Sequence, residues 1–151
     1  MATATPAPDV AARAVIEDLL SRAAFALDER EDAMLSACFA EDAVFSLRIA
    51  GGDLIGPFEG REGIMGLMRG AWEEQTDARR HVVSNVFYPP AAEATVSGAI
   101  PVVSYLSLFA TENGEVQLLC TGVYRDEVIV TRTGANSCAA TSTSKRLTEP
   151  P

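Results

Sequence analysis

The chain has 151 residues, 48% of them hydrophobic, which suits one globular domain with a sizeable core. Its formal charge of −9 argues against nucleic acid and anionic membranes as partners, and no apolar run approaches the ~20 residues of a membrane span. The three cysteines (Cys38, Cys120 and Cys138) suit reduced thiols in a cytoplasm, and with a single histidine they indicate no metal site. Without a Gly-rich phosphate loop, no cofactor is expected.

The N-terminal half is predicted to contain three amphipathic helices. Residues 1–9 indicate a flexible leader without a signal peptide, and Asp9 can cap a helix from Val10 to Asp28. Apolar residues recur in this segment at spacings of three and four, which predicts one buried face. A short second helix is predicted from Ala33 to Phe39, and a third over Ile64 to Trp72.

Runs of β-branched and aromatic residues predict five strands. They cover Ala43 to Ile49, Leu54 to Phe58, Arg79 to Tyr88, Ala94 to Phe109 and Val116 to Val130. The last two flank Glu112-Asn113-Gly114-Glu115, which is typical of a tight β-hairpin. The order ααββαβββ predicts an α+β fold, in which three helices cover the concave face of a cone-shaped, curved antiparallel sheet with a cavity at its mouth.

A single domain is predicted over residues 10–130, because the composition changes at Thr131. Residues 131–151 include eight Ser or Thr, no aromatic residue and the only lysine of the chain, Lys145. This composition predicts an atypical, disordered tail. One permitted codon choice, read two bases out of frame, spells a turn and a strand instead. We therefore hypothesise that the tail is translated out of its ancestral frame, which the gene sequence tests.

The third predicted strand carries the only histidine, His81. Strict alternation gives this strand two faces, one with His81, Val83, Asn85 and Phe87, the other with Val82, Ser84, Val86 and Tyr88. Both faces are largely apolar, so the imidazole is expected to be partly desolvated and its protonation to depend on a nearby carboxylate. His81 is either a core histidine bonded to a backbone carbonyl or a functional base.

Four segments occur in an order that is specific to one fold. They are Ala26-Leu27-Asp28-Glu29-Arg30, Phe39-Ala40-Glu41-Asp42-Ala43-Val44-Phe45, Gly60-Arg61-Glu62-Gly63-Ile64 and Arg80-His81-Val82-Val83-Ser84-Asn85. Together they resemble the SnoaL-like family of the superfamily that includes nuclear transport factor two and ketosteroid isomerase. The resemblance covers roughly residues 10–130 and implies the cone-shaped α+β fold of that superfamily.

Within this family, the chain is similar to scytalone dehydratase and lindane dehydrochlorinase in one pair of residues. Those enzymes use an aspartate at the end of the first helix and a histidine on the strand after the third, and Asp28 and His81 occupy these positions. The chain departs from scytalone dehydratase at Leu27, which replaces a pocket tyrosine, and in lacking a second histidine. A basic residue that the last strands often supply has only Arg125 and Arg132 as candidates. The resemblance thus implies a dyad and leaves the substrate open.

Such a dyad suits proton abstraction from carbon, because the carboxylate orients the imidazole and stabilises the imidazolium that forms. Seven residues are predicted to line a pocket for a small hydrophobic or polyketide-like molecule, or else to fill an ordinary core: Phe45, Met65, Met68, Trp72, Asn85, Phe87 and Tyr105. Of these, Asn85 or Tyr105 could donate a hydrogen bond to a carbonyl or leaving group.

Two functions follow from these expectations. The first is a cofactor-independent lyase or isomerase that catalyses dehydration, dehydrohalogenation, cyclisation or double-bond migration. The alternative is a non-catalytic small-molecule-binding or assembly module of the same fold, because fold alone does not fix function. A homodimer or higher homo-oligomer is also predicted, since Val82, Val86 and Tyr88 would otherwise be exposed on the second face of the sheet.

Overall fold

A computed structural model describes residues 7–49, 51–132 and 138–148, the last with side chains for Ser142 and residues 145–148 only. The remainder of the predicted leader and tail lies outside the described residues. The helices are α1 (Val10–Asp28), α2 (Asp32–Ala37) and α3 (Gly60–Glu74). The strands are β1 (Phe39–Arg48), β2 (Ile55–Glu59), β3 (Ala78–Phe87), β4 (Ile100–Glu112), β5 (Glu115–Arg132) and β6 (Cys138–Thr148), with a 3-10 turn at Ala91–Glu93. No helix in these ranges is long and apolar enough to cross a membrane.

The six strands form one curved, unclosed sheet in the order β2-β1-β6-β5-β4-β3. Together with the three helices this confirms the predicted α+β fold. The sheet is mixed and not wholly antiparallel, because β6 runs parallel to β1. Alternate residues of β4, including Val102, Ser104, Leu106 and Leu108, are buried on the concave face of the sheet. On that face α1 contributes Ile16, Leu19 and Leu20 to one hydrophobic cluster, whereas α2 and α3 contribute to a second one together with Ala26 near the end of α1.

The strand β6 lies where the sequence predicts a disordered tail, and the structure differs from that expectation. It sits between β1 and β5, with Leu147 in register with Leu47 on one side and Tyr124 on the other. The backbone N–H of Ser142 also donates a 2.8 Å hydrogen bond to the carbonyl of Cys38. Ladder hydrogen bonds use backbone groups that any residue supplies, so a strand can form without the apolar alternation by which strands are recognised in a sequence.

The end of α1 is fixed by contacts from two sides. Arg30 adopts a left-handed backbone with φ of 58°, and the N–H of Glu31 returns to the carbonyl of Ala26 at 2.9 Å. This arrangement satisfies one of the carbonyls left free at a helix C-terminus. From α3, the indole N–H of Trp72 donates a 2.8 Å hydrogen bond to the carbonyl of Leu27. Asp28, the last residue of α1, is therefore held in a defined place.

A β-bulge interrupts β3 after Ser84. Ser84 pairs with Tyr105 and Phe87 with Val103, so β3 has one residue more than β4 between these pairs. Asn85 takes up the extra residue with φ of 55°, a conformation that asparagine tolerates better than most residues. The predicted faces are therefore wrong beyond Ser84, because one inserted residue reverses every later side chain.

Candidate active site

The ends of α1 and β3 bring Asp28 and His81 together. Oδ1 of Asp28 lies 2.6 Å from Nδ1 of His81, and Oδ2 accepts a 2.8 Å hydrogen bond from the backbone N–H of His81. The two side chains are 5% and 14% exposed, respectively. Among the described strands β3 lies at the edge of the sheet and pairs with β4, so its outer backbone groups are accessible to a side chain. Both carboxylate oxygens of Asp28 are thus bonded to one residue.

These bonds account for an acid at a helix C-terminus, where the helix dipole disfavours negative charge. The backbone N–H of His81 and its imidazole supply the compensating donors. An ionised carboxylate can only accept hydrogen bonds, so the proton of a neutral imidazole is assigned to Nδ1. Nε2 then keeps a lone pair and can act as a base.

A cavity of about 250 Å³ lies beside the dyad, between the outer side of α1 and the edge strand β3. Its lining residues are Ser21, Ala24, Phe25, Asp28, Glu29, Arg80, His81 and Val83. The lining residues that belong to α1 recur at spacings of three and four, which places them on one side of the helix. The volume falls just below the ~300 Å³ at which pockets for drug-sized ligands begin, and it suits a molecule of one or two rings.

The seven predicted pocket residues do not line this cavity. Four of them, Phe45, Met65, Met68 and Trp72, are buried together in the hydrophobic cluster to which α3 contributes. They recur on the inward face of their strand or helix and pack against one another, so they fill a core. Asn85 is exposed at the bulge, whereas Phe87 and Tyr105 are 53% and 50% exposed on the outer face of the sheet. The bulge explains Phe87, because it turns this ring away from the face of His81.

Two charged residues of the cavity were missed by the sequence analysis. Nη2 of Arg80 lies 2.9 Å from Oε1 of Glu29, and Nη1 donates a 2.7 Å hydrogen bond to the backbone carbonyl of Arg79. Arg80 therefore places a basic side chain on the cavity wall, whereas Arg132, one of the two predicted candidates, pairs with Asp9 at the other end of α1. A signal was present in the sequence, since Glu29 and Arg80 directly neighbour the two dyad residues.

A second acid–base pair, also unforeseen, lies at the centre of the sheet. Oδ1 of Asp126 is 3.2 Å from Nζ of Lys145, which lies 3.9 Å from the ring centroid of Tyr124. The side chains of Asp126 and Lys145 are 1% and 16% exposed. Burial raises the pKa of Asp126, and Lys145 opposes that rise. Three buried oxygens here, Oδ2 of Asp126 and Oγ of Ser104 and Ser142, have no hydrogen-bond partner among the described residues.

The described ranges contain no cluster of three or more His, Cys, Asp or Glu side chains that could hold a metal ion. Of the two cysteines whose side chains are described, Cys38 and Cys120, the first is buried, and this burial raises the pKa of its thiol. Neither cysteine lines the cavity beside the dyad.

Known structures share this fold over nearly the whole chain. Aln2 from a Streptomyces species is 21% identical with a TM-score of 0.73, over 95% of this chain and 94% of that chain. A Catenulispora acidiphila protein in complex with S-DNPA is 20% identical with a TM-score of 0.74, over 93% and 95% of the two chains. ActVI-ORFA from Streptomyces coelicolor is 19% identical with a TM-score of 0.70, over 91% and 96%. At these identities the likeness shows the fold alone.

The sequence itself matches no curated protein. The pattern that defines the SnoaL-like domain nevertheless matches residues 8–135, which is most of the chain and includes both members of the dyad. This protein therefore belongs to the SnoaL-like domain family.

Proposed function

We propose that this protein is a cofactor-independent lyase or isomerase in which His81, oriented by Asp28, removes a proton from carbon. The observation that carries the proposal is the bidentate contact of Asp28 with the ring and the backbone of His81, both residues lining a cavity. A general base must be held in place in the correct tautomer, and a carboxylate on Nδ1 does this and stabilises the imidazolium that forms. The SnoaL-like family includes polyketide cyclases and isomerases, which is consistent with this chemistry.

In the proposed reaction, Nε2 of His81 takes a proton from a carbon next to a carbonyl or a leaving group. The electron pair of the broken C–H bond forms a double bond, and Asp28 stabilises the imidazolium through Nδ1. In an isomerase the imidazolium returns the proton to another carbon. In a lyase the leaving group departs, and the proton passes to it or to water.

The proposed substrate is a small, largely hydrophobic molecule. Ala24, Phe25 and Val83 offer apolar surface in the cavity, and Ser21 offers one hydroxyl group. Phe25 is 55% exposed, so its ring is available to a ligand. The Catenulispora acidiphila protein, solved in complex with S-DNPA, supports ligand binding as a role of this fold.

Proton abstraction can be tested without knowledge of the natural substrate. Cyclic ketones and β-hydroxy ketones are incubated in D₂O, and NMR follows exchange at the carbon next to the carbonyl and elimination of water. We expect wild type to accelerate at least one of these reactions, and His81→Ala to lower the rate by at least about 100-fold. Equal rates for both proteins would refute His81 as the base. Binding without reaction across the panel would favour the non-catalytic module.

We also propose that the protein self-associates as a homodimer or higher homo-oligomer. Val86 and Tyr88, which prompted this expectation, pack against the core instead. Val82, Phe87 and Tyr105 take their place on the outer face, each at least 45% exposed. Sedimentation at micromolar concentration should show a species larger than the monomer. Only monomer would refute self-association. The cytoplasmic location stays a prediction.

If Tyr105 lies in this interface, Tyr105→Lys should weaken self-association by at least about 10-fold, because it places a charge in an apolar contact. Val116→Lys is the matched control, since Val116 is 67% exposed next to the β4–β5 turn. The control should leave the sedimentation profile unchanged. Equal effects of the two substitutions would argue against an interface around Tyr105.

A further inference from the structure

We infer that Glu29 determines the substrate class of the cavity: by holding Arg80, it makes the site take uncharged molecules and reject carboxylates. The inference rests on the proposed function only in taking the cavity as the ligand site, and it does not require catalysis. It follows from the charged side chains on the cavity wall and from the hydrogen bonds and ion pairs that these side chains already form.

Four ionisable side chains line the cavity, namely Asp28, Glu29, Arg80 and His81. With a neutral imidazole, as a base requires, two carboxylates face one guanidinium, and the wall carries a net charge of −1 (−2 + 1). The chain as a whole carries −9, which adds to the negative potential. An anionic ligand therefore meets like charge, whereas a neutral ligand does not.

Arg80 is the only cation among the described residues of the wall when His81 is neutral; its side chain is 59% exposed, and each of its terminal nitrogens makes one contact. Nη2 pairs with Glu29 at 2.9 Å, and Nη1 donates to the carbonyl of Arg79 at 2.7 Å. To bind Arg80, a carboxylate ligand must displace Glu29 or remain beside it.

The neighbouring arginines are also engaged. Nε of Arg79 lies 2.9 Å from Oδ1 of Asp77, and Nη2 of Arg30 donates a 2.9 Å hydrogen bond to the carbonyl of Gln75. Neither arginine lines the cavity, so neither offers an alternative anchor for an acid.

Neutral substrates also suit the chemistry. Removing a proton from carbon leaves negative charge on the substrate, and a carboxylate in the same small molecule would oppose it. The size of the cavity and the exposed ring of Phe25 favour a flat molecule of one or two rings. The inferred substrate class is therefore a neutral cyclic or aromatic ketone or alcohol.

The test uses two probes with the same ring system, 2-acetylnaphthalene and 2-naphthoate, with binding measured by ligand-observed NMR at about 0.1 M salt. Wild type should bind the ketone at least about 10-fold more tightly than the carboxylate. Glu29→Gln removes one acid and releases Arg80. We expect it to tighten naphthoate binding by about 10-fold and to change acetylnaphthalene binding by less than about twofold.

The control for charge alone is Glu17→Gln, which makes the same change on an exposed residue of α1 outside the cavity. Glu17 lies ~18 Å from Glu29 along the helix, beyond the ~10 Å screening length at 0.1 M salt. It should leave both affinities unchanged. The double variant Glu29→Gln/Arg80→Met should bind naphthoate no more tightly than wild type, because it lacks the guanidinium that Glu29→Gln releases.

Three results would overturn the inference: wild type binding both probes equally, wild type binding neither, or Glu17→Gln matching Glu29→Gln. Circular dichroism of every variant checks that the fold is retained. His81→Ala separates this inference from the proposed function, since it should abolish proton exchange and keep the preference for the ketone. If wild type catalyses no proton exchange but still prefers the ketone to the carboxylate, the proposed dyad is refuted and the inference about Glu29 stands.

Discussion

Two carboxylates on the concave face of the sheet each pair with a base, and their surroundings differ. Asp28 lies at the sheet edge, where both of its oxygens are bonded to His81 beside a cavity. Asp126 lies on a central strand, where one oxygen contacts Lys145 and the other has no partner among the described residues. In the first pair both carboxylate oxygens are bonded and the residues line a cavity, whereas the second pair leaves one carboxylate oxygen without a partner among the described residues.

The two pairs differ in how much it costs to bury the carboxylate. A buried charge is tolerated when hydrogen bonds replace its lost solvation, and it is costly when they do not. The edge of the sheet allows the first outcome for Asp28, because the N–H of His81 is not used by a neighbouring strand. At the centre, β4 and β6 use the backbone groups on both sides of Asp126, so only side chains can satisfy it.

The largest expected effect concerns catalysis at the first pair. Asp28→Asn keeps the size of the side chain and removes its charge, so it should lower turnover by about 100-fold or more. Because the two residues act as a unit, Asp28→Asn/His81→Ala should be scarcely slower than His81→Ala. Steady-state rates on a substrate identified by the exchange panel measure this. Full activity of Asp28→Asn would show that His81 works without Asp28.

The second expected effect concerns stability at the other pair. At a pH at which Asp126 is ionised, Lys145→Met leaves this buried carboxylate without its cation and should lower the free energy of unfolding by about 3 kcal/mol. Asp126→Val/Lys145→Met should recover most of this loss, because an apolar pair needs no solvation. Urea denaturation of the wild type and both variants measures the difference. If Lys145→Met is as stable as wild type, the pair contributes nothing to folding.

The smallest expected effect is a dependence of stability on pH. Burial raises the pKa of Asp126 in the folded state above its ordinary value of 3.8. Between pH 3.8 and the raised pKa of the folded state, the unfolded carboxyl has lost its proton while the folded one still holds it, so stability falls as pH rises through this range. Relative to Asp126→Asn, the wild type should lose stability from about pH 4 upwards, by at most ~1.4 kcal/mol per pH unit.

Denaturation of both proteins at several pH values between about 4 and 7 checks this prediction. The two unfolding energies should diverge in favour of Asp126→Asn as pH rises. The opposite trend would mean that Lys145 outweighs burial and keeps the carboxyl ionised.

The pairing of Asp28 with His81 could be expected from the sequence because the resemblance to scytalone dehydratase and lindane dehydrochlorinase implies it, and both residues lie on elements with clear local patterns. Asp28 ends a helix whose bounds, Val10 to Asp28, follow from its cap and its apolar period, and His81 is unique on a strongly β-prone run. The pocket could not be located in the same way. The periodicity of Met65, Met68 and Trp72 indicates burial, which is the same for a dry core and for a ligand cavity.

The sequence alone determined the helices, most strands, the family and the two residues that meet. The helices and strands depend on short-range patterns, namely capping, side-chain period and hairpin turns, whereas the family and the pair follow from the resemblance of four segments. The tertiary structure alone decided the strand β6, the bulge at Asn85, and the Glu29–Arg80 contact beside the dyad. Each of these depends on which backbone or side chain lies across a gap in space, and that is set by the packing of distant segments.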